Sequence, residues 1–328
     1  MIEYLGVVLA LADLFRVLGD EDRLRLLALC AEEEMTVGEL ATLLGESQPQ
    51  ITKKTQLLRE IGLLASRRDG ARTLLKVESP THAVDDPIIG AAIIEGRALC
   101  HKDGSFAKIA RVIAQREDLS RQLFEHAAAG EPVPLPADAA LLAWLPLLAP
   151  LLPGRALAID LGTGDGSLLP VLSPLYDRVV AVDRSAARLA RCAERIAAWG
   201  LPNVRLRESS DDDPGLAEEI GQRGGADLVV MARVLHHVGR PQDAIRSATR
   251  LLRDGGHLAI IDYVPHDDES LREHGHVWLG FEPQKLMGWI EAAQLRPLVA
   301  QPFAGGSTSA GTPALQLAVG RKPARALA

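Results

Sequence analysis

Cysteine is scarce in this chain. Only three occur in 328 residues, Cys30, Cys100 and Cys192, far apart and each in an apolar helical setting. That excludes a disulfide framework and predicts reduced core residues of a cytoplasmic protein. A cationic excess is also missing. The formal net charge of −7 argues against a protein that coats nucleic acid non-specifically, while leaving room for a local basic patch. No run is long and apolar enough to predict a membrane span. Leu141 to Leu152 is rich in leucine but short and broken by Pro146 and Pro150, and the apolar stretch from Met1 to Leu18 contains Glu3 and Asp13 without a basic leader. Neither a transmembrane helix nor a signal peptide is expected. Apolar residues, by contrast, make up 47% of the chain, enough for two globular cores at the usual roughly 100–200 residues per domain.

The most informative stretch runs from Arg155 to Asp183. Ala156 to Leu161 reads as a buried strand, Gly162, Gly164 and Gly166 as a tight turn, Ser167 to Leu175 as a helix-forming return, and Val179 to Val182 as a second apolar strand. This is a nucleotide-binding βαβ unit. Glycine is needed where the loop backbone approaches a ligand or takes positive φ. A dinucleotide loop reads G-x-G-x-x-G, whereas the spacing here is Asp160-x-Gly162-x-Gly164-x-Gly166. A carboxylate two places before the first glycine suits a ligand with a cationic end, and S-adenosylmethionine carries both an ammonium and a sulfonium. Asp183, about 20 residues further on, is positioned to accept from ribose hydroxyls.

Further strands are expected at Asn203 to Arg207, along Ala226 to Val238 and at His257 to Asp262, with helices at Ala186 to Trp199 and Pro241 to Leu252, and a closing antiparallel pair at Leu298 to Phe303 and Leu315 to Gly320. The Asp160 to Gly166 loop with Asp183, together with Arg233-Val-Leu-His-His-Val and Arg250-Leu-Leu-Arg-x-Gly-Gly, resembles class I S-adenosylmethionine-dependent methyltransferases acting on small molecules. The resemblance implies a Rossmann-like, doubly wound α/β domain with a mostly parallel seven-stranded sheet. It implies S-adenosyl-L-methionine or S-adenosyl-L-homocysteine as cofactor, held by Asp160, Gly162, Thr163, Gly164, Gly166, Asp183, Arg184, Asp211 and Arg233. Asp211, within Asp211-Asp-Asp213, is the choice for the adenine amino group.

Ligands in such a sheet sit beyond the carboxyl ends of the strands, which gathers Asp160, Asp183, Asp211, His236, His237 and Asp262 around one crevice. Methyl transfer is an in-line displacement, so alignment and exclusion of water matter most. His237 is the first choice of base where the acceptor holds a proton, because a neutral imidazole accepts one at about pH 7. Packing or hydrogen bonding of the loop explains the histidine pair equally well. The insertion Pro265 to Phe281 would cover the acceptor pocket, with His266 and His276 as further catalytic candidates. His274-x-His276 lacks a defined third ligand, so no metal site is expected.

The N-terminal quarter has a different pattern. Leu5, Val8, Leu9, Ala12 and Phe15 recur at helical spacing, and Asp20 caps a second helix. Thr36 to Gly45 and Ser47 to Gly62 then give helix, tight turn, helix, with Pro49 tolerated in the first turn. Leu63 to Arg68 and Thr73 to Val77 flank Asp69-Gly70 as a β-wing. From Ser47 to Val77 seven basic residues stand against two acids, a distribution suited to phosphate contact. The expected DNA-binding residues are Gln48, Gln50, Thr52 and Lys53 at the helix start, with Lys54, Arg67, Arg68 and Arg72. Ser47-Gln-Pro, Leu58-Arg-Glu-x-Gly-Leu63 and Arg67-Arg-Asp-Gly-x-Arg72 resemble the winged helix of ArsR-type bacterial repressors. Where metal-sensing members of that family carry paired cysteines this chain has Thr36 and Gly38, and Thr52-Lys-Lys-Thr-Gln56 departs from the family's recognition helix.

The expected organisation is a winged helix-turn-helix over residues 1–79, a helical linker and Pro-rich hinge over 80–136, and a methyltransferase domain over 137–328. Two functions follow. One is a transcriptional regulator that binds duplex DNA, likewise a homodimer, and couples cofactor state or methyl transfer to its operator. The other is a cytoplasmic methyltransferase for a small-molecule acceptor whose winged helix serves only for dimerisation. Neither involves a membrane.

Overall fold

The computed structural model describes residues 3–4, 7–8, 11–77, 87–127, 146–210, 213–303 and 313–324. The chain divides into two compact units, Met1–Gln115 and Arg116–Ala328. None of the described helices is long and apolar enough to cross a membrane.

The first unit begins with a two-residue ladder, β1 (Glu3–Tyr4) and β2 (Val7–Val8), followed by α1 (Leu11–Leu18) and α2 (Glu21–Glu32). The Asp20 carboxylate accepts from the Arg23 amide at 3.1 Å and starts α2. β3 (Met35–Thr36) leads into α3 (Val37–Leu44), whose cap is reciprocal. Thr36 Oγ1 accepts from the Glu39 amide, and the Glu39 carboxylate accepts from the Thr36 amide at 2.8 Å. Thr36, where a metal-sensing relative would carry cysteine, is therefore a helix cap. Gly45, at φ +69, closes the helix in the left-handed conformation.

Next come α4 (Gln48–Glu60), β4 (Leu64–Asp69) and β5 (Arg72–Val77). Ile51, Thr55 and Leu58, spaced by one helical turn, face inward from α4. β3, β5 and β4 pair antiparallel in that order, which is the sheet of a winged helix. Two long helices complete this part of the chain, α5 (Pro87–Asp103) and α6 (Ser105–Ala127). They do not form a separate linker core. Ile89, Ile93, Cys100, Ile109, Val112 and Ile113 are buried in the same cluster as Leu26, Leu40, Ile51 and Leu75. Gly96 explains the close docking of α5 on α2, since a Cβ there would lie 2.1 Å from the Leu24 carbonyl oxygen.

The second unit is a seven-stranded sheet. Its elements are β6 (Ala158–Leu161), α7 (Leu169–Leu172), β7 (Val179–Asp183), α8 (Ala186–Trp199), β8 (Val204–Glu208), α9 (Pro214–Gln222), β9 (Ala226–Ala232), α10 (Pro241–Leu251), β10 (Leu252–Tyr263), α11 (Pro283–Ala292), β11 (Arg296–Pro302) and β12 (Leu315–Arg321). The lateral order is β11-β12-β10-β9-β6-β7-β8. β8, β7, β6, β9 and β10 run parallel, while β12 is antiparallel to both β10 and β11. The expected mostly parallel, doubly wound sheet is thus present, and its order reverses between β6 and β9, the switch point where ligands bind in such sheets. α7 is shorter than the expected return helix. Pro170 opens it and Pro174 follows just after its end, and a proline's missing amide limits helix propagation. β10 begins earlier than expected, taking in Arg253 to Gly256 through a register shift between Leu252 and His257.

Candidate functional site

The glycine loop leaves the carboxyl end of β6 with Gly162, Gly164 and Gly166 at φ +76, +58 and +83. These values lie in the left-handed region, where a Cβ is strained. Space is equally restrictive, since a Cβ on Gly162 would sit 2.6 Å from a Val234 methyl and one on Gly166 2.7 Å from Cys192 Sγ. The Gly162 and Thr163 amides both donate to the Val182 carbonyl at 2.8 Å, which binds the loop to β7.

Two buried carboxylates hold this loop. The Asp160 Oδ2 accepts from the Thr163 hydroxyl at 2.6 Å. Burial pushes the Asp160 carboxyl up to about 6, the Thr163 hydrogen bond pulls against that, and Asp183 and Asp165 push further up. Asp183, at the end of β7, accepts from the Gly164 amide through Oδ2 at 2.7 Å and from the Ser185 amide through Oδ1 at 2.9 Å. Arg184, next to it, is exposed.

Arg233 follows β9 with φ +56, unusual for a residue with a Cβ. Its amide donates to Ile261 and its side chain bonds Tyr263. Asp211 lies outside the described residues. Sequence reasoning missed Arg188, in the first turn of α8. Burial pulls its guanidinium down to about 10, and a Cβ on Gly164 would lie 3.1 Å from its Nη1. Its place just after the Ser185 cap was the available signal.

The histidines converge beyond β9 and β10. His236 Nδ1–H donates to Asp262 Oδ1 at 2.8 Å, with His236 1% and Asp262 0% exposed. His237 Nδ1–H donates to the Gly275 carbonyl at 2.8 Å. His276 joins them because the Val277 and Trp278 amides donate to the His236 carbonyl at 2.8 and 3.1 Å, folding the 265–281 segment back over the strand ends. Trp278 Nε1 also donates to the Val238 carbonyl at 2.6 Å. The His236 ring centroid lies 4.1 Å from that of His237 and 4.2 Å from that of His276. His276 Nδ1 is buried and has no hydrogen-bond partner among the described residues.

Burial, then the neighbouring His236, pull His237 well below the ordinary imidazole range and His276 down to about 3. Both rings are neutral at about pH 7. His266 sits one ring further out, 5.8 Å from Tyr263, which stands 5.5 Å from His276. His274 is exposed, with Nδ1 3.2 Å from the Ser270 carbonyl, so His274-x-His276 is not the grouping. The grouping that does form takes one ring nitrogen each from His236, His237 and His276, all within 4.8 Å of one another.

A separate cleft, lined by Leu152, Pro153, Tyr176, Asp227 and His257, opens at the amino ends of the strands. Its Asp227 accepts from the Leu157 amide at 3.0 Å and pairs with Arg253. These are ties between strands, remote from the switch point.

On the winged helix, Gln48, Gln50, Thr52, Lys53, Arg68 and Arg72 are exposed, although the Gln50 side-chain Oε1 accepts from the Ser47 hydroxyl at 2.7 Å as part of the α4 cap. Lys54 and Arg67, expected at DNA, are held within the domain instead. Lys54 Nζ lies 2.7 Å from Asp22 and 2.6 Å from Glu46. Arg67 grips both oxygens of Glu34, at 2.6 and 3.1 Å.

Residues 159–258 match the methyltransferase domain family. The arsenical resistance operon repressor of Escherichia coli is 47% identical over 58 residues, 17% of this chain and 50% of that protein. The ubiquinone biosynthesis O-methyltransferase of Ralstonia nicotianae is 29% identical over 188 residues, 50% of this chain and 74% of that one. The solved structure of an S-adenosylmethionine-dependent methyltransferase from Anabaena variabilis aligns at TM-score 0.49 and 20% identity, covering 63% of this chain and 94% of that one. Several curated relatives are matched over half of their length or less, down to 3% for a hybrid synthetase.

Proposed function

We propose that this chain, a methyltransferase domain joined to an N-terminal region homologous to ArsR-type repressors, is a cytoplasmic, homodimeric transcriptional regulator. Its winged helix binds duplex DNA, its glycine loop binds S-adenosylmethionine or S-adenosylhomocysteine, and its C-terminal domain transfers a methyl group to a small-molecule acceptor. The observation that carries the cofactor reading is Asp160. It is a carboxylate 2% exposed, acted on by a hydroxyl and two further carboxylates, and it stands beside a loop that only glycine can form. A cationic ligand end relieves that charge.

The bound cofactor supplies an electrophilic methyl group on a sulfonium. Asp160 faces the cationic end. Asp183 keeps lone pairs for ribose hydroxyls beyond its two backbone donors. The glycine backbone leaves room for the adenosine, with Thr163 fixing Asp160 and with Arg184 and Arg233 flanking the crevice. The adenine contact from Asp211 rests on the sequence. His237, its Nδ1–H committed to Gly275, offers Nε2 to take a proton from an acceptor, with His266 and His276 bordering the same pocket.

On the DNA side, Gln48, Gln50, Thr52 and Lys53 supply groups for base edges, and Arg68 and Arg72 meet phosphates. Phe15 and Ile94, 55% and 67% exposed on α1 and α5, support a second copy packing there. The internal pairing of Lys54 and Arg67 favours the second reading, in which the winged helix only dimerises.

The deciding experiment measures binding to the chain's own promoter fragment without ligand, with S-adenosylmethionine and with S-adenosylhomocysteine. A difference gives the coupling free energy between the sites. Absence of DNA binding in all three leaves the dimerising methyltransferase, and labelled cofactor supplied to a cell extract tests turnover separately.

A further inference from the structure

Three imidazoles from two distant segments meet beyond the switch point. Each of His236 and His237 commits Nδ1–H to an oxygen, Asp262 Oδ1 and the Gly275 carbonyl respectively, both at 2.8 Å. In the neutral ring that arrangement leaves the Nε2 lone pair for a ligand. A carboxylate or carbonyl behind a histidine is the arrangement that orients metal-ligating imidazoles and raises their basicity. The third ring, His276, is 9% exposed, and its Nδ1 is buried without a hydrogen-bond partner among the described residues. An orphaned buried nitrogen carries a desolvation cost that a ligand would relieve.

We propose that His236, His237 and His276 form a site for one divalent transition-metal ion of the zinc class. The donor set decides the class. Three imidazole nitrogens without a thiolate suit zinc and its borderline neighbours, whereas calcium and magnesium require oxygen ligands. Geometry is close to what such an ion needs. Metal–nitrogen distances of about 2.1 Å place tetrahedral ligand atoms roughly 3.4 Å apart, and one nitrogen from each of the three rings lies within 4.8 Å of the other two. Three protein ligands leave a fourth position for water or an acceptor atom, the pattern of zinc sites that do chemistry rather than hold a fold. With the ion bound, the His237 Nε2 lone pair is a ligand and no longer a base, so the metal-bound and proton-accepting states of His237 are alternatives. Use of the fourth position in methyl transfer rests on the function proposed above; binding of the ion does not.

The test uses the full chain after treatment with a chelator. Zinc is titrated in competition with a chromophoric chelator, and cobalt is added separately to read its visible ligand-field bands. One equivalent per chain is expected, with bands of the intensity that four-coordinate cobalt gives. His276→Ala and His236→Ala should abolish that equivalent, Asp262→Asn should weaken it about 10–100-fold by freeing the His236 ring, and His274→Ala should leave it intact. Far-UV circular dichroism and S-adenosylhomocysteine binding on the same samples report folding and the cofactor site. A wild-type chain with no tight equivalent and no cobalt bands overturns the proposal whatever the variants do, as does tight binding that persists in the His236→Ala/His276→Ala double variant. Cofactor binding without metal sinks this site alone, and metal without cofactor binding sinks the methyltransferase reading alone.

Discussion

Replacing Asp160 with asparagine should stabilise the ligand-free protein at neutral pH and weaken cofactor binding. The native carboxyl titrates at about 6, against about 3.9 in an unfolded chain. Below about pH 4 it is protonated in both states. Between about 4 and 6 the native state keeps a proton that the unfolded state has lost, so stability from this group declines as pH rises and is gone above the native value. Two pH units correspond to about 3 kcal/mol.

Asparagine preserves shape, retains an oxygen for the Thr163 hydroxyl and cannot ionise. The variant should therefore match wild type at about pH 4, apart from a constant offset, and gain up to about 3 kcal/mol over it by about pH 7.5. All four tryptophans lie after residue 137, so fluorescence-detected urea unfolding across this range reads the relevant domain. The same substitution should lower affinity for S-adenosylmethionine at least tenfold, measured calorimetrically, because it removes the charge opposite the cationic end. Parallel stability curves for the two proteins between about pH 4 and 7.5 would refute the assignment of an uncompensated buried charge at this loop.

Arg68→Ala with Arg72→Ala should flatten the salt dependence of DNA binding by a slope of about 2, at roughly 0.9 per phosphate contact; an unchanged slope removes the wing from the interface. Arg67→Ala should leave that slope alone and lower the thermal midpoint of the N-terminal unit, as loss of an ion pair worth about 1 kcal/mol. Gly96→Ala should force α5 off the Leu24 carbonyl at a cost of roughly 1–3 kcal/mol, seen as early loss of helical circular dichroism with tryptophan fluorescence unaffected; a normal melt would contradict the close docking. Gly162→Ala should reduce cofactor binding, and adding Val234→Ala should restore only part of it. The left-handed backbone cost of about 1–2 kcal/mol persists after the clash is removed, so full recovery would mean that space alone matters.

Much of this protein is written locally. The Thr36–Glu39 and Asp20 caps, the closing Gly45, the alternation of apolar strands with amphipathic helices, and the Asp160 to Gly166 loop followed by Asp183 all depend on neighbours a few residues apart, and such patterns are legible as spacing. Proline truncation of α7 was also present in the sequence, at Pro170 and Pro174, but a helical composition masked it.

Other features depend on which distant segments meet. Which cations have a carboxylate beside them depends on Glu34 standing behind Arg67, and on Asp22 and Glu46 around Lys54. Whether α5 serves as linker or core is settled by Gly96 meeting the Leu24 carbonyl. His276 gains its partners only because backbone amides at 277 and 278 dock on His236, some 40 residues earlier. The sequence by itself determined the loop, its carboxylates and the helices that frame them, because these follow from short-range backbone geometry. Tertiary structure alone decided which cations are spent on folding and which imidazoles face one another, because those pairings are fixed by packing between residues that no local period connects.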